Sequence, residues 1–206
     1  MRLIGGRWKR SKLEVADRAG LRPTPDRVRE TLFNWLGQDL SGWIVLDAFA
    51  GSGALGFEAA SRGAARVNLL ERDADLVRRL QAAQQRLGAS EVAIERGDAL
   101  AWMAARPAAE FDLILLDPPY AQDLFAAALT AALRLLRPDG WIYLEADRAF
   151  VEADLAAMGL TLRRSGRAGV VHYHLLARRP AAIQDSVSHY TAAASPDHPT
   201  DPRSSS

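Results

Sequence analysis

Cysteine is absent from the 206-residue chain. That excludes disulfides and cysteine–zinc sites, and it fits a reducing compartment. No apolar run approaches the roughly 20 residues needed to cross a bilayer. Met1 to Lys12 is basic and polar and lacks the apolar centre of a signal peptide, so a cytoplasmic location is the default expectation. There is no internal repeat and no large net charge: the formal balance is +1, so the chain as a whole is not a polycation. What is present is the material for a core. The hydrophobic content is 49%, ordinary for a globular protein, and the length suits one α/β domain with short additions.

The charge is unevenly placed. Residues 1–30 carry nine Lys/Arg against four Asp/Glu, and the remainder seventeen against twenty-one. A basic segment on a near-neutral body is either a localised contact with something anionic or a solvated arm. Within it, Leu3-Ile4 and Leu13-Glu14-Val15 are strand-like pieces separated by the turn signal Gly5-Gly6. Thr24 is placed as a helix N-cap with Pro25 in the first helical position, and Val28, Leu32, Trp35 and Leu36 recur at helical spacing up to Gly37. From Trp43 onward, short apolar runs alternate with helical stretches. Strands are predicted at 44–46, 66–70, 92–94, 111–116 and 141–145, with helices near 54–62, 73–87, 122–136 and 150–157. Repeated βα units predict a mostly parallel sheet covered on both faces. Two final strands, near 160–165 and 169–177, are joined by a short turn at Gly166–Gly169 and must be antiparallel neighbours. The expected organisation is a basic arm and helix over 1–40 packing on a catalytic domain over 41–180, with a disordered tail over 181–206, where Ser, Pro, Asp, Thr and Ala dominate.

Asp47-Ala48-Phe49-Ala50-Gly51-Ser52-Gly53-Ala54-Leu55-Gly56 follows the first strand and opens a helix. Gly51, Gly53 and Gly56 match G-x-G-x-x-G, and Glu71 ends the second strand, where a carboxylate can accept from both hydroxyls of a ribose. The pattern is that of a nucleotide site at the carboxyl ends of the strands. A pyrophosphate there would lie close to Asp47, and two unit charges about 4 Å apart interact by roughly 1–4 kcal/mol at effective dielectrics of 80 to 20. The same carboxylate favours a ligand carrying an ammonium and a sulfonium, as S-adenosylmethionine does. Asp98 follows the third strand and is placed either to accept from an adenine amino group or to cap the next helix. The candidate cofactor set is Asp47, Phe49, Gly51, Ser52, Gly53, Glu71, Arg72, Asp98 and Ala99.

Asp117-Pro118-Pro119-Tyr120 ends the fourth strand at the same edge. Two prolines fix φ twice, donate nothing and restrict the residues before them, so the turn is stiff and exposes acceptors. A planar exocyclic amino group needs that set: Asp117 accepts one N–H, the Pro118 carbonyl the other, and Tyr120 stacks on the ring. Acceptors pulling on both hydrogens favour a more pyramidal nitrogen and free its lone pair for in-line attack on a methyl sulfonium. A base in a helix or stacked loop must first swing out. The catalytic candidates are Asp117, Pro118, Pro119 and Tyr120.

The chain resembles the RsmD family of bacterial 16S rRNA guanine-N2 methyltransferases. The match is carried by Met1–Gly6, by Gly20–Thr24 with Asp26–Leu36, by Leu46-Asp47 with Phe49–Gly56, and by Asp117–Tyr120. It covers about residues 1–178. The N-terminal blocks are specific to the family; the glycine turn and Asp-Pro-Pro-Tyr are shared more widely. The resemblance implies a class I methyltransferase fold with a seven-stranded sheet whose last strand is antiparallel, and methylation of a guanine N2 in 16S rRNA with S-adenosylmethionine as cofactor. The implied partner is 16S rRNA in the small subunit or an assembly intermediate, engaged by a monomer, with no membrane and no metal. Arg7, Arg10, Arg22, Thr24, Arg27, Arg29 and Asn34 are the candidate RNA contacts.

Two aromatic features stay open beside this. Trp8 lies among Arg7, Lys9 and Arg10, placed to stack on an RNA base or to cover the hairpin's own apolar face. His172 and His174 share one strand face, and without a third ligand they read as exposed strand histidines. Another RNA amino group or a DNA adenine N6 suits the same pocket chemistry. Asp47 and Asp-Pro-Pro-Tyr argue against an NAD-dependent oxidoreductase, and the intact acceptors argue against a non-enzymatic assembly factor.

Overall fold

The structure, a computed structural model, describes residues 1–14 and 24–180. Val15, Arg22 and the tail expected over 181–206 lie outside the described residues. The N-terminal segment forms a tight hairpin: Leu3 N–H donates to the Ser11 carbonyl, Arg10 N–H returns to the Leu3 carbonyl, and Arg2 pairs with Lys12. Helix α1 spans Asp26–Trp35. Its cap differs from the sequence pattern. Pro25 takes the N-cap with extended ψ and no side-chain cap bond. Thr24 instead gives its hydroxyl to Glu145, at 2.7 Å. A buried carboxylate needs that donor more than a helix end open to water does.

The alternating units then build strands β1 (Ile44–Asp47), β2 (Arg66–Glu71), β3 (Val92–Arg96), β4 (Phe111–Leu116) and β5 (Leu136–Ala146). Between them lie helices α2 (Ala54–Ser61), α3 (Ala74–Leu87), α4 (Ala99–Ala104) and α5 (Phe125–Leu135). Helix α6 (Glu152–Ala157) leads to β6 (Leu160–Ala168) and β7 (Val171–Arg178). The sheet order is β3-β2-β1-β4-β5-β7-β6. Strand β7 turns back at Gly169 and inserts between β5 and β6, antiparallel to both, while β1 to β5 are parallel. The predicted seven-stranded α/β architecture with one antiparallel strand is therefore present.

One boundary moved. The sequence closes α5 at Pro138-Asp139-Gly140 before a strand at 141. In the molecule β5 already begins at Leu136, opposite Phe111, and the register jumps before Leu113 meets Trp141. Pro138 cannot donate to a ladder, so the pairing breaks at the proline and resumes after it.

The two faces carry separate cores. Helices α1, α2 and α3 bury Leu32, Phe33, Phe57 and Leu80 against Val45, Leu115 and Tyr143 on one face. Helices α4, α5 and α6 bury Met103, Phe125, Leu129 and Leu155 against Leu46, Ile114 and Ile142 on the other. β1 sits where successive crossovers leave in opposite directions, to β2 on one side and β4 on the other. A crevice at its carboxyl end is the usual ligand position in such sheets.

Candidate active site

The carboxyl edge of the sheet collects Asp47 from β1, Glu71 from β2, Asp98 after β3, Asp117 after β4 and Glu145 near the end of β5. The turn after β1 is shaped by glycine. Gly53 caps α2 with φ of 75°, and a Cβ there would lie 2.6 Å from Leu80 and 2.7 Å from Phe57. Gly56 lets α2 lie directly on β2, because any Cβ would overlap the Leu69 side chain. The turn is tied to its acids. Gly56 N–H donates to Asp47 Oδ2 at 3.0 Å, and Gly51 N–H donates to Glu71 Oε2 at 2.9 Å. Glu71 Oε1 accepts from Asp73 N–H at 2.9 Å. Each oxygen keeps a second lone pair, so the carboxylate is oriented without being exhausted.

Asp47 is 2% exposed. Burial pushes its carboxyl up to about 7, the Gly56 N–H opposes that rise, and Glu71 and Glu145 nearby add to it. The Gly56 and Phe49 N–H groups stabilise its anion in part, and a cationic ligand would stabilise it further. Phe49 is half-buried against the second core, and Ser52 turns its hydroxyl to the Met1 sulfur at 3.5 Å. Arg72 is exposed, and its guanidinium lies 3.2 Å from the side-chain amide of Gln122, whose oxygen must face it. That contact links the turn after β2 to the turn after β4 across the end of β1. Asp98 does cap α4, accepting from Ala101 N–H through Oδ1 at 2.9 Å, while Ala99 is buried behind it. No donor among the described residues meets Asp98 Oδ2.

At the Asp-Pro-Pro-Tyr turn, no hydrogen bond from any described residue reaches the Asp117 carboxyl. Burial, then Glu145 and Asp47, hold its pKa well above the usual carboxylate range. Pro118 is buried and Pro119 exposed. Tyr120 opens a short 3-10 turn over Tyr120–Gln122, with its ring 6.0 Å from that of Phe125. Burial, then Asp117 and Glu145, raise its phenol, so it stays neutral.

Glu145 was missed by reasoning from sequence, in which it is only the polar end of a strand. It is 3% exposed and accepts from Thr24 Oγ1 at 2.7 Å and from the Tyr143 hydroxyl at 2.9 Å. Burial raises its pKa, and those two hydroxyls oppose the rise. Leu116, the last residue of β4, pairs with Leu144, so Asp117 leaves β4 next to Glu145, and the Glu145 charge helps raise the Asp117 pKa.

The expected RNA contacts separate into two groups. Arg7, Arg10, Arg27 and Asn34 are exposed, although Arg7 also pairs with Glu91. Arg29 is not on the surface. It is 0% exposed and bonds to Asp26 at 2.7 Å, to the Arg2 carbonyl at 2.8 Å and to Glu58 at 3.4 Å. Glu58, a second residue that sequence reasoning overlooked, also accepts from the N–H groups of Ile4 and Gly5 and from Arg62. Arg29 is buried because this anion is buried with it. Trp8 packs against the core with the Arg7 guanidinium 4.1 Å above its ring, the hairpin-covering alternative. His174, expected to be exposed, is buried; its Nε2 accepts from Phe150 N–H at 3.2 Å, and burial lowers its pKa.

A sheet of this order with an acceptor-rich carboxyl edge places the molecule in the class I methyltransferases. The solved structure of the Escherichia coli protein yhhF superposes with a TM-score of 0.75 at 34% identity, covering 87% of this chain and 98% of that one. A family model described as conserved hypothetical protein 95 matches residues 1–177. The chain is 37% identical over 194 residues to ribosomal RNA small subunit methyltransferase D of Escherichia coli strain K12, covering 90% of this chain and 94% of that protein. It is 38% identical over 182 residues to the protein of the same name from Haemophilus influenzae, covering 85% and 92%. The chain belongs to that family, the RsmD methyltransferases.

Proposed function

We propose that the protein uses S-adenosylmethionine to methylate the N2 amino group of a guanine in 16S rRNA, acting in the cytoplasm on the small ribosomal subunit or an assembly intermediate. The observation that carries this is Asp117: a buried-edge carboxyl with no donor from the described residues, on a turn whose two prolines offer carbonyls and no N–H. Such a group is held open for donors that arrive with a substrate. The names of the relatives supply the ribosomal RNA.

The residues at the opposite side of the edge fit the cofactor. When bound, S-adenosylmethionine supplies a methyl group on a sulfonium sulfur. Asp47 offers the buried negative charge, Glu71 two oriented oxygens for a ribose diol, and Asp98 Oδ2 an acceptor for an adenine amino group. Asp117 and the Pro118 carbonyl accept the two N–H groups of the target amine and turn its lone pair toward the Asp47 side. Tyr120 stacks on the base once it leaves its helix. Arg7, Arg10, Arg27 and Asn34 present the surface for phosphates.

The test is methyl transfer from labelled cofactor to naked 16S rRNA, to 30S particles and to duplex DNA in parallel, followed by mapping of the labelled nucleotide. Label on a guanine N2 of 16S rRNA is the expected result. Label on an adenine N6, or on DNA alone, would overturn it.

A further inference from the structure

We propose that Glu145 reads the N1–H of the target guanine, and so decides which base the Asp-Pro-Pro-Tyr pocket accepts. This rests on the guanine-N2 reading above and goes beyond it. The acceptors at Asp117 and Pro118 recognise a planar amino group, and adenine N6 offers one as well as guanine N2 does. The two bases differ at the adjoining ring nitrogen. In guanine N1 carries a proton and donates; in adenine it is an acceptor. A pocket selective for guanine therefore needs one more acceptor beside Asp117, directed at that nitrogen.

Glu145 has the position and, among the described residues, an oxygen without a donor. It sits on β5 next to the point where Asp117 leaves β4, close enough for its charge to raise the Asp117 pKa. Both of its donors, the hydroxyls of Thr24 and Tyr143, converge on Oε1. No donor among the described residues meets Oε2. Among the described residues, one oxygen is locked to the protein and the other meets no donor. Burial raises the Glu145 carboxyl above its usual range, the two hydroxyls oppose that rise, and an N1–H donated to Oε2 would add to their effect, whereas the N1 lone pair of adenine would not. Guanine's edge brings three N–H donors to Asp117, the Pro118 carbonyl and Glu145, and adenine's brings two with an opposing acceptor. Thr24, from the N-terminal block, thereby acts as a positioning residue for base choice without touching the base.

The same lock makes the test specific. In Glu145→Gln the orientation that keeps both hydroxyls as donors puts the amide oxygen in the Oε1 place. The amide NH₂ then replaces Oε2 and becomes a donor. The substrate pair is guanosine and 2-aminopurine riboside at the mapped position. Both carry the N2 amine, but the second has an unprotonated N1. The unaltered enzyme should prefer guanosine in kcat/KM, and Glu145→Gln should reduce that preference by about tenfold or more, or reverse it. Equal losses on both substrates, with the ratio unchanged, would assign Glu145 a structural role and overturn the proposal.

A second arm needs no variant. Inosine at the target keeps N1–H and lacks the amine, whereas purine riboside lacks both. The RNA with inosine should inhibit the unaltered enzyme more tightly, and equal inhibition would overturn the proposal. If the unaltered enzyme methylated neither guanosine nor 2-aminopurine but did methylate adenosine, the guanine-N2 reading itself would have failed.

Discussion

Asp47 and Asp117 leave neighbouring strands at the same edge of the sheet, and the chain treats their carboxyl groups in opposite ways. After Asp47 the backbone is glycine-rich and turns its N–H groups inward, so the carboxyl is held by Gly56 within the protein. After Asp117 two prolines remove the N–H groups that would have done the same, and the carboxyl keeps no donor from the described residues. The first turn makes a fixed counter-charge. The second makes an acceptor that no described residue partners. Both acids have raised pKa values for the same leading reason, burial, yet only the second is placed to exchange its partner at every turnover.

The largest effect should come from breaking the open side. Asp117→Ala should lower methyl transfer by about 10²–10³-fold, comparable to loss of one preorganised polar contact in a transition state. Cofactor affinity in calorimetry should be preserved. A parallel loss of cofactor affinity would erase the distinction between the two turns.

Asp47→Asn addresses the closed side, and its effects should depend on pH. The Asp47 carboxyl titrates near 7 in the folded chain and near 3.8 when unfolded. Its contribution therefore favours folding below about pH 4 and is lost as pH rises through about 7, amounting to roughly 4 kcal/mol at most. The ligand-free protein should melt at lower temperature at pH 8 than at pH 5.5, and Asp47→Asn should flatten that slope. Cofactor affinity should rise over the same interval in the unaltered protein and become flat and weaker in the variant. A melting temperature independent of pH in the unaltered protein would show that burial does not raise the Asp47 carboxyl.

Smaller effects sharpen the comparison. Tyr120→Ala should weaken RNA substrate affinity by roughly 1–3 kcal/mol, with Tyr120→Phe close to unaltered, if the ring acts by stacking. A large loss for the phenylalanine variant would instead make the hydroxyl the working atom. Asp98→Ala should cost about 1 kcal/mol of stability through the α4 cap. Cofactor affinity should fall separately if Oδ2, which meets no donor among the described residues, accepts from the ligand. An unchanged affinity would leave Asp98 as a cap only.

The features legible in the sequence are those whose meaning is local. The glycine spacing, Glu71 at the end of β2 and Asp-Pro-Pro-Tyr after β4 each show their place at the sheet's carboxyl edge within a dozen residues of a strand, because backbone geometry imposes it. Glu145, Thr24, Glu58 and Arg29 were illegible or misread for the opposite reason. Nothing near Arg29 in sequence says that its guanidinium is buried. That depends on Glu58, 29 residues away, and on the carbonyl of Arg2. Thr24 looked like a helix cap because the local pattern allows it, while its actual partner is 121 residues distant. Pairing between buried polar groups is a tertiary fact, and one chain without its fold shows only the residue types. The shift of β5 to Leu136 has the same origin, since a neighbouring strand decides how far pairing extends past a proline.

The Glu58 cluster has a consequence for the order of assembly during synthesis. The chain emerges from its N-terminus, so the hairpin, and then Arg29, appear before the anion that holds them. Ile4 and Gly5 must wait for a residue more than fifty positions later, and Arg29 cannot desolvate until Glu58 arrives to pair with it. Thr24 waits longer still, for Glu145. The N-terminal segment is thus made first and seated last, and the pocket for the base is completed only after the fifth strand is in place. A nascent chain halted before that strand would carry Asp47 and the glycine turn but not the Thr24–Glu145 contact.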